Sequence, residues 1–344
     1  MWIISNIILY STAMKPLLFL CLFTIVSGFS SCNSKGTPTF PRASGPPYEV
    51  IVVMETSAWD SKAGTAVREE LTSPVPYLLQ TESSMTYTYI RPDQFKGILK
   101  NVRNILIVTI DDTKYTKASL FREDNKWARG QIVLYITAPD TLSVENFLVE
   151  NQRRLVNYYN KEELRRMAEN QRQSYSTVVF EKVKDMFGIE LYAPVEIKMS
   201  NVGSNCLWFS NNSRNGRMDL LVYSFPYTDP NTFTLEYLVA KRDSITKLMV
   251  PGSHPGSYMT TEHRVVDYEP STLNGKFCGV LRGLWRMQGD MMGGPFVSFA
   301  RVDEPNRRVI VTEGFVYEPK RDKRNYIRRM EATLYTTRFP DELN

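Results

Sequence analysis

The first half of the chain alternates between strand-like and helix-like apolar patterns. Runs of β-branched residues are typical of strands, whereas apolar residues three to four positions apart are typical of helices. Asp60 is a candidate N-cap, and the prolines at 74 and 76 would end the helix that it begins. The pattern predicts strands at 48–55, 86–90, 105–110 and 131–137, and helices at 60–71 and 94–102.

A long segment with helical periodicity follows. Its apolar residues recur at helical spacing from 143 to 187, with Ser143 as the start signal and Gly188 as the end signal. Residues 160–176 are almost wholly polar. We therefore expect two helices, or one bent helix, with an exposed middle.

The second half returns to strand patterns, with two helices among them. This order predicts an α+β fold: two α/β-sandwich-like halves with mostly antiparallel sheets, joined by a long helical segment. The expected boundaries are 48–142 for an N-terminal α+β domain, 143–187 for a helical connector and 188–344 for a C-terminal α+β domain. In the last of these, strands are predicted at 195–199, 206–209, 218–225, 260–268, 275–282, 296–302 and 308–317, and helices at 234–249 and 320–335.

The last predicted helix contains a basic run, KRDKRNYIRR, which begins at Lys320. Such a run can indicate a nucleic-acid or lipid patch. The formal net charge of +5 over 344 residues is nearly balanced, however, and gives no argument for nucleic-acid binding. We interpret the charges as the solvated face of an amphipathic helix. Its apolar stripe consists of Tyr326, Ile327, Met330 and Leu334.

The N-terminus carries an apolar run of the length of an export signal. Residues 17–26 form a ten-residue apolar run, with Thr24 as its one polar residue, and follow one basic residue, Lys15. A membrane-spanning helix needs about 20 apolar residues, so this run is too short to remain as a span. Because residues 1–13 carry no positive charge, we expect translation to start at Met14 and residues 1–31 to be removed as a signal peptide. The alternative is a start at Met1 with an uncleaved N-terminal anchor.

The end of this run, Phe29-Ser30-Ser31-Cys32, resembles the lipobox of bacterial lipoproteins, in which small residues precede a cysteine. The resemblance implies cleavage between Ser31 and Cys32 and attachment of acyl chains, such as palmitate, to Cys32. The family prefers leucine where this chain has Phe29. Two or three acyl chains would anchor the protein stably to a membrane. The alternative is a chance cysteine at the end of an apolar run.

Residues 32–47 are rich in proline and small polar residues, which predicts a lipidated flexible tether. No acidic run follows Cys32, and the next residue is Asn33 rather than aspartate. In Bacteroidetes-type lipoproteins an acidic run after the cysteine accompanies export to the outer face, and in other lipoproteins an aspartate at the next position is associated with inner-membrane retention. Both absences favour the outer membrane, with the protein facing the periplasm. We expect a cell-envelope protein that contacts the membrane through its N-terminal lipid.

Two cysteines follow Cys32, namely Cys206 and Cys278. In an oxidising compartment they could form one disulfide. Both lie in apolar, strand-like settings, so the alternative is a pair of buried free thiols. Two cysteines this far apart exclude a zinc ribbon.

Few residues carry recognisable chemistry. The two histidines, His254 and His263, have a spacing that matches no compact metal-ligand motif. No G-x-S-x-G or G-x-G-x-x-G motif is present. We therefore expect neither a metal nor a cofactor and assign no catalytic residue. A glycosidase-type pair of carboxylates stays open, because such acids come from distant positions.

The most unusual local composition lies at 283–299, where methionine, tryptophan and glycine are concentrated. Flexible methionines and an exposed aromatic residue are typical of an adaptable contact surface. The alternative is a hairpin whose apolar residues complete the core. The candidate contact surface consists of Trp285, Met287, Met291 and Met292.

In its overall layout the chain resembles an uncharacterised family of Bacteroidetes lipoproteins built around a domain of unknown function, a family that supplies no activity. Residues 293–319 with the helix after them are also similar to the α/β/α sandwich of the photosystem extrinsic P protein and its lipoprotein relatives. The leading hypothesis is a non-enzymatic binding or scaffolding lipoprotein with an envelope protein or glycan as its partner. The alternatives are a hydrolase of cell-wall or glycan material and a structural spacer. The sequence predicts no oligomeric state.

Overall fold

The computed structural model describes residues 40–343, and the first half of this range contains a five-stranded sheet. Its strands are β1 (Glu49–Val53), β2 (Thr86–Ile90), β3 (Asn104–Ile110), β4 (Ser119–Asp124) and β5 (Ile132–Ala138). They lie in the order β2-β1-β3-β5-β4. β4 pairs with β5 in the antiparallel direction, and the other three pairings are parallel.

Helices cover one face of this sheet. They are α1 (Thr56–Trp59), α2 (Lys62–Thr72), α3 (Thr141–Glu150) and α4 (Arg154–Gln173). Side chains of β1, β3 and β5 form a core with α2, α3 and the start of α4. On the other face, the strands pack against aromatic and aliphatic residues of the segments that contain the 3₁₀ turns Pro92–Gln94 and Gly97–Asn101.

The second half contains a seven-stranded sheet in which each pairing is antiparallel. Hairpin connections join β7 to β8, and β9 through β12 follow one another in space as in sequence, so strand direction alternates. Its order is β6-β7-β8-β12-β11-β10-β9. The strands are β6 (Met199–Val202), β7 (Cys206–Ser210), β8 (Arg217–Pro226), β9 (Tyr258–Leu273), β10 (Lys276–Gln288), β11 (Gly293–Asp303) and β12 (Arg308–Tyr317).

Helices cover both faces of the second sheet. α5 (Thr177–Phe187) and α7 (Arg324–Leu334) pack on one face, and α6 (Leu235–Met249) packs on the other. Successive residues of β12 show the alternation: Ile310 belongs to the core under α5 and α7, and Val311 to the core under α6. The second half is therefore an α/β/α sandwich.

The predicted α+β class with two sheet-bearing halves is confirmed. The mostly antiparallel arrangement applies to the second sheet. The first sheet is mainly parallel, because long crossover segments connect its parallel strands: α1 and α2 lie between β1 and β2, and β4 lies between β3 and β5. The helical segment is shared between the halves, since α3 and α4 pack on the first sheet and α5 on the second. β4 was not predicted, because SLFRED is a largely polar edge strand.

The basic helix α7 lies at the contact between the two halves, and its interpretation as a solvated amphipathic helix is wrong for its first turns. Arg328 is 4% exposed, and its guanidinium lies 4.2 Å from the ring centre of Tyr48. It also donates a hydrogen bond of 2.9 Å to the carbonyl oxygen of Ser84. Residues from Pro41 onwards accordingly form one compact unit.

The last part of the predicted tether, residues 41–44, is bound to the first half. The Arg129 amide donates to the Pro41 carbonyl at 2.8 Å, and the Ala43 amide donates to the Arg129 carbonyl at 2.9 Å. The Ser44 amide donates to the Asn101 carbonyl, also at 2.9 Å. These residues therefore belong to the folded unit. Residues 32–39 of the predicted tether, the predicted signal peptide with Met14, and the predicted lipid site at Cys32 lie outside the described residues.

Candidate functional site

The methionine-rich segment 283–299 forms the hairpin between β10 and β11. Its turn is closed by a hydrogen bond of 2.8 Å from the Met287 amide to the Met292 carbonyl. Gly289 has φ +81°, a left-handed conformation that glycine adopts without steric cost. The Asp290 carboxylate accepts hydrogen bonds from the amide, at 3.0 Å, and the hydroxyl of Ser253. The hairpin tip is thereby attached to the loop that follows α6.

The four predicted contact residues have different environments. Trp285 and Met287 are 2% and 6% exposed and belong to the core under α6, and Met292 is half-buried against the same core. Met291 is 99% exposed. The prediction of an exposed contact surface is therefore wrong for Trp285 and Met287, because inward-facing positions of β10 place them under the loop after α6.

The structure nevertheless brings three of the four residues together around one pocket. The pocket has a volume of about 200 Å³ and lies between the hairpin tip and the loop at 250–253. Half of its lining residues are methionine or aromatic, and a charged pair is also present. The lining residues that matter here are Trp285, Met287, Met292, Met259, Phe315 and Tyr317, with Arg217 and Asp219.

Asp219 is a carboxylate in the wall of this pocket with 0% exposure. Its Oδ1 atom accepts hydrogen bonds from Trp208 Nε1 at 3.0 Å and from Arg217 at 3.1 and 3.2 Å. Its Oδ2 atom lies 3.0 Å from Arg217 Nε but accepts no hydrogen bond from the described residues. Burial raises the pKa of Asp219, and the Arg217 charge opposes this rise. The pocket therefore combines apolar walls with an ion pair between Arg217 and the buried Asp219.

Neither Asp219 nor Arg217 was predicted as a site residue. The available signal was the acid inside the strand sequence RMDLLVYSFP, where a charge interrupts an apolar run. Such a charge is expected to be paired when it is buried, and a pair in a wall of aromatic and methionine residues is a candidate for ligand recognition. The sequence does not show which strand or loop lies opposite it.

The possible disulfide between Cys206 and Cys278 does not form. Cys206 on β7 belongs to the core under α6, whereas Cys278 on β10 belongs to the core on the opposite face. Three strands separate β7 from β10, and neighbouring strands lie about 4.8 Å apart, far beyond disulfide reach. Both cysteines are buried free thiols. Burial raises the pKa of each thiol to about 12.

The two histidines lie apart from this pocket's wall. His263 Nε2 is 2.8 Å from Asp243 Oδ2, and the His254 carbonyl accepts a hydrogen bond in the loop that precedes β9. Within residues 40–343, no three His, Cys, Asp or Glu side chains are grouped in a way that could hold a metal ion.

The cleft between the two halves is lined by three acids, Asp267, Glu269 and Glu331. Arg282 donates to Glu331 at 2.7 Å and to Glu269 at 3.4 Å. The Tyr77 hydroxyl donates to Asp267 at 3.0 Å. A guanidinium between two carboxylates offsets one of their two negative charges and occupies oxygen atoms that a general acid would present to a glycosidic bond. The hydrolase alternative receives no support from this arrangement.

Comparison with known proteins assigns no activity. Residues 43–172 match the family model "Domain of unknown function (DUF8532)", and residues 176–336 match "Domain of unknown function (DUF4837)". Among the curated proteins, none matches this chain. Among solved structures, the Ran-binding protein Mog1p of Saccharomyces cerevisiae is 10% identical, with a TM-score of 0.30, over 44% of this chain and 92% of that chain.

The two matched ranges correspond to the two halves of the structure. The first match ends within α4 and the second begins at the N-cap of α5, so the division falls at the short link between these helices. No helix of the described residues has the length and hydropathy to cross a membrane. Each half of the chain is thus similar to a domain of unknown function.

Proposed function

We propose that the protein is a non-enzymatic binding module of the cell envelope, attached to the membrane through Cys32. Its pocket beside the β10–β11 hairpin receives an apolar group of the partner. The observation that carries this proposal is the set of methionine and aromatic side chains that line the pocket, Met259, Met287, Met292, Trp285, Phe315 and Tyr317. Flexible methionine side chains suit adaptable recognition.

The pocket chemistry favours a protein partner over a glycan. A volume of about 200 Å³ suits one side chain rather than a sugar chain. Trp285, Phe315 and Tyr317 offer apolar surface, since the indole nitrogen of Trp285 already donates to the Val316 carbonyl at 3.2 Å. We therefore infer an envelope protein that inserts an apolar side chain into this pocket.

Adjacent methionines provide a matched test of this pocket. A photo-crosslinking residue at position 292, in the pocket wall, is expected to give one reproducible adduct in intact envelopes. The same residue at position 291, which is 99% exposed and outside the lining, is expected to give at least several-fold less. Adducts are quantified by immunoblot and identified by mass spectrometry.

The photo-crosslinking residue is next placed at position 287, which also lines the pocket. Met292→Glu should abolish the adduct formed from position 287, because it puts a charge inside the apolar wall. Met291→Glu should leave that adduct unchanged, because position 291 lies outside the lining. Equal crosslinking at positions 291 and 292, or no adduct at 292, would contradict the proposed pocket and favour the spacer alternative. A retained thermal midpoint of each variant shows that folding is intact.

The proposed lipid anchor has its own test. Metabolic labelling with an acyl-chain analogue is expected to label the wild-type protein and not Cys32→Ala, and the variant should leave the membrane fraction. The outer-membrane location predicts that the label fractionates with outer-membrane markers. Membrane association of Cys32→Ala without label would instead support the uncleaved N-terminal anchor.

A further inference from the structure

The first half contains a cavity whose wall is dominated by arginine. It has a volume of about 530 Å³ and lies where β3 and β5 begin, beside the C-terminal half of α4. Amide side chains complete the wall, and one carboxylate is present. The lining residues include Arg42, Arg103, Arg129, Arg165, Arg166 and Glu169, with the amides of Asn125, Asn170 and Gln173.

Three of the five arginines are paired with carboxylates. Arg103 and Arg166 both contact the fully buried Glu163, at 3.1 and 2.7 Å. Arg165 contacts Glu162 at 2.5 Å, and it also contacts Glu169. These pairs place guanidinium groups in fixed positions at the back of the cavity. The Nε atom of Arg103 is buried and donates no hydrogen bond to a described residue.

The other two arginines supply the surplus positive charge. Arg42 and Arg129 are exposed residues whose backbones pair with each other. Arg42 donates one long hydrogen bond, 3.4 Å, to Asn170 Oδ1. The Arg129 guanidinium has neither a hydrogen bond nor an ion pair with the residues that the structure describes. Backbone pairing thus holds two under-used guanidinium groups at the mouth of one cavity.

We propose that this cavity binds a phosphate-bearing anion, with Arg42 and Arg129 as its principal ligands. The planar guanidinium matches two phosphate oxygens at once, and the pair supplies two positive charges for a dianion. The amides of Asn125 and Asn170 provide further donors. A glycan without acidic groups would leave these charges unmatched.

The phosphate has two possible sources, a lipid headgroup or a soluble phosphorylated molecule. Arg42 follows Cys32 by about ten residues, which reach at most ~35 Å when extended. If the lipid anchor of the proposed function is correct, the cavity lies within reach of anionic headgroups. The anion site itself does not depend on the anchor or on the Met292 pocket.

The test uses the chain that begins at residue 32 and carries Cys32→Ala, so that no acyl chain contributes. Calorimetry with inorganic phosphate and pyrophosphate measures the soluble source. Flotation with vesicles of phosphatidylglycerol, against phosphatidylcholine alone, measures the headgroup source. We expect Arg42→Ala and Arg129→Ala each to weaken binding about 10-fold, since a charge-assisted hydrogen bond has been removed.

Arg214→Ala is the matched control, because Arg214 is an exposed arginine outside the cavity lining and its loss removes the same charge. Its binding should equal that of the parent protein. Arginine-dependent binding of vesicles, with competition by pyrophosphate, assigns the headgroup source; binding of pyrophosphate with no vesicle preference assigns the soluble one. The absence of binding in both arms, or an equal loss in Arg214→Ala, would overturn the proposal.

Discussion

Replacing Arg242 with methionine is expected to lower the free energy of unfolding by about 3–5 kcal/mol, because it leaves a buried carboxylate without its counter-charge. Arg242 on α6 and Glu313 on β12 are both 0% exposed. The guanidinium makes contacts of 2.8 to 3.1 Å with both oxygens of Glu313. It also lies 3.8 Å from the ring centre of Phe296. Denaturant titration of wild type and variant measures the loss.

The stability lost in Arg242→Met should depend on pH, and it should be smaller at low pH than at high pH. Burial raises the pKa of Glu313, and Arg242 opposes this rise. A carboxyl group whose folded-state pKa is raised stabilises the fold below its unfolded pKa, and this contribution is lost as pH rises through the folded pKa. Without Arg242 the folded-state pKa rises further, so Arg242→Met should be closer to wild type at pH 5 than at pH 8.

Two further variants separate a charge effect from general damage. The double variant Arg242→Met with Glu313→Met removes both charges, and we expect it to recover most of the lost stability. Arg264→Met removes an arginine whose side chain is 87% exposed and should change stability by less than about 0.5 kcal/mol. A double variant that is no more stable than Arg242→Met alone would contradict the ion-pair explanation.

The same pair shows where sequence patterns stop being informative. In VTEGFVY, the strand β12 is evident from its β-branched and aromatic residues, and its predicted bounds agree closely with the structure. The burial of Glu313 is not evident, because the partner Arg242 lies 71 residues away on a helix. Local periodicity identifies elements, whereas the partners of a buried charge depend on tertiary contacts.

Strand pairing was the main limit on the predicted fold. The pattern located β1, β2, β3 and β5, but a run of β-branched residues has no direction relative to its neighbours. The predicted helix at 94–102 is instead the 3₁₀ turn Gly97–Asn101 after a shorter one, since Gly97 has φ +61°, a left-handed conformation that breaks a right-handed helix. For the candidate site, composition identified the hairpin at 283–299 but not the depth at which Trp285 lies.

Replacement of Glu82 is expected to have the second-largest effect on the free energy of unfolding, because Glu82 caps a helix of the other half. Its two carboxylate oxygens accept hydrogen bonds from the backbone amides of Lys323, at 2.7 Å, and Arg324, at 2.8 Å. These are amides at the N-terminus of α7, where unpaired N–H groups and the helix dipole favour a negative charge. Because Lys323 provides no side-chain cap, Glu82 replaces the usual N-cap residue.

We expect Glu82→Ala to cost about 2–3 kcal/mol, since it leaves buried helix amides without an acceptor. Glu82→Gln keeps one acceptor oxygen and should cost about 1 kcal/mol. Glu69→Ala is the matched control: Glu69 is exposed on α2 and makes no side-chain hydrogen bond or ion pair with the described residues, so a change below about 0.5 kcal/mol is expected.

Hydrogen exchange distinguishes a helix cap from a general packing residue. Loss of Glu82 should accelerate hydrogen exchange first in α7 and in the segment 82–85, which α7 contacts. The strands of the first sheet should keep their protection. A uniform loss of protection over both halves would contradict this role. Because α7 packs on the second sheet and is capped by the first half, its N-terminus links the stabilities of the two halves, and the Glu82 variants measure that coupling directly.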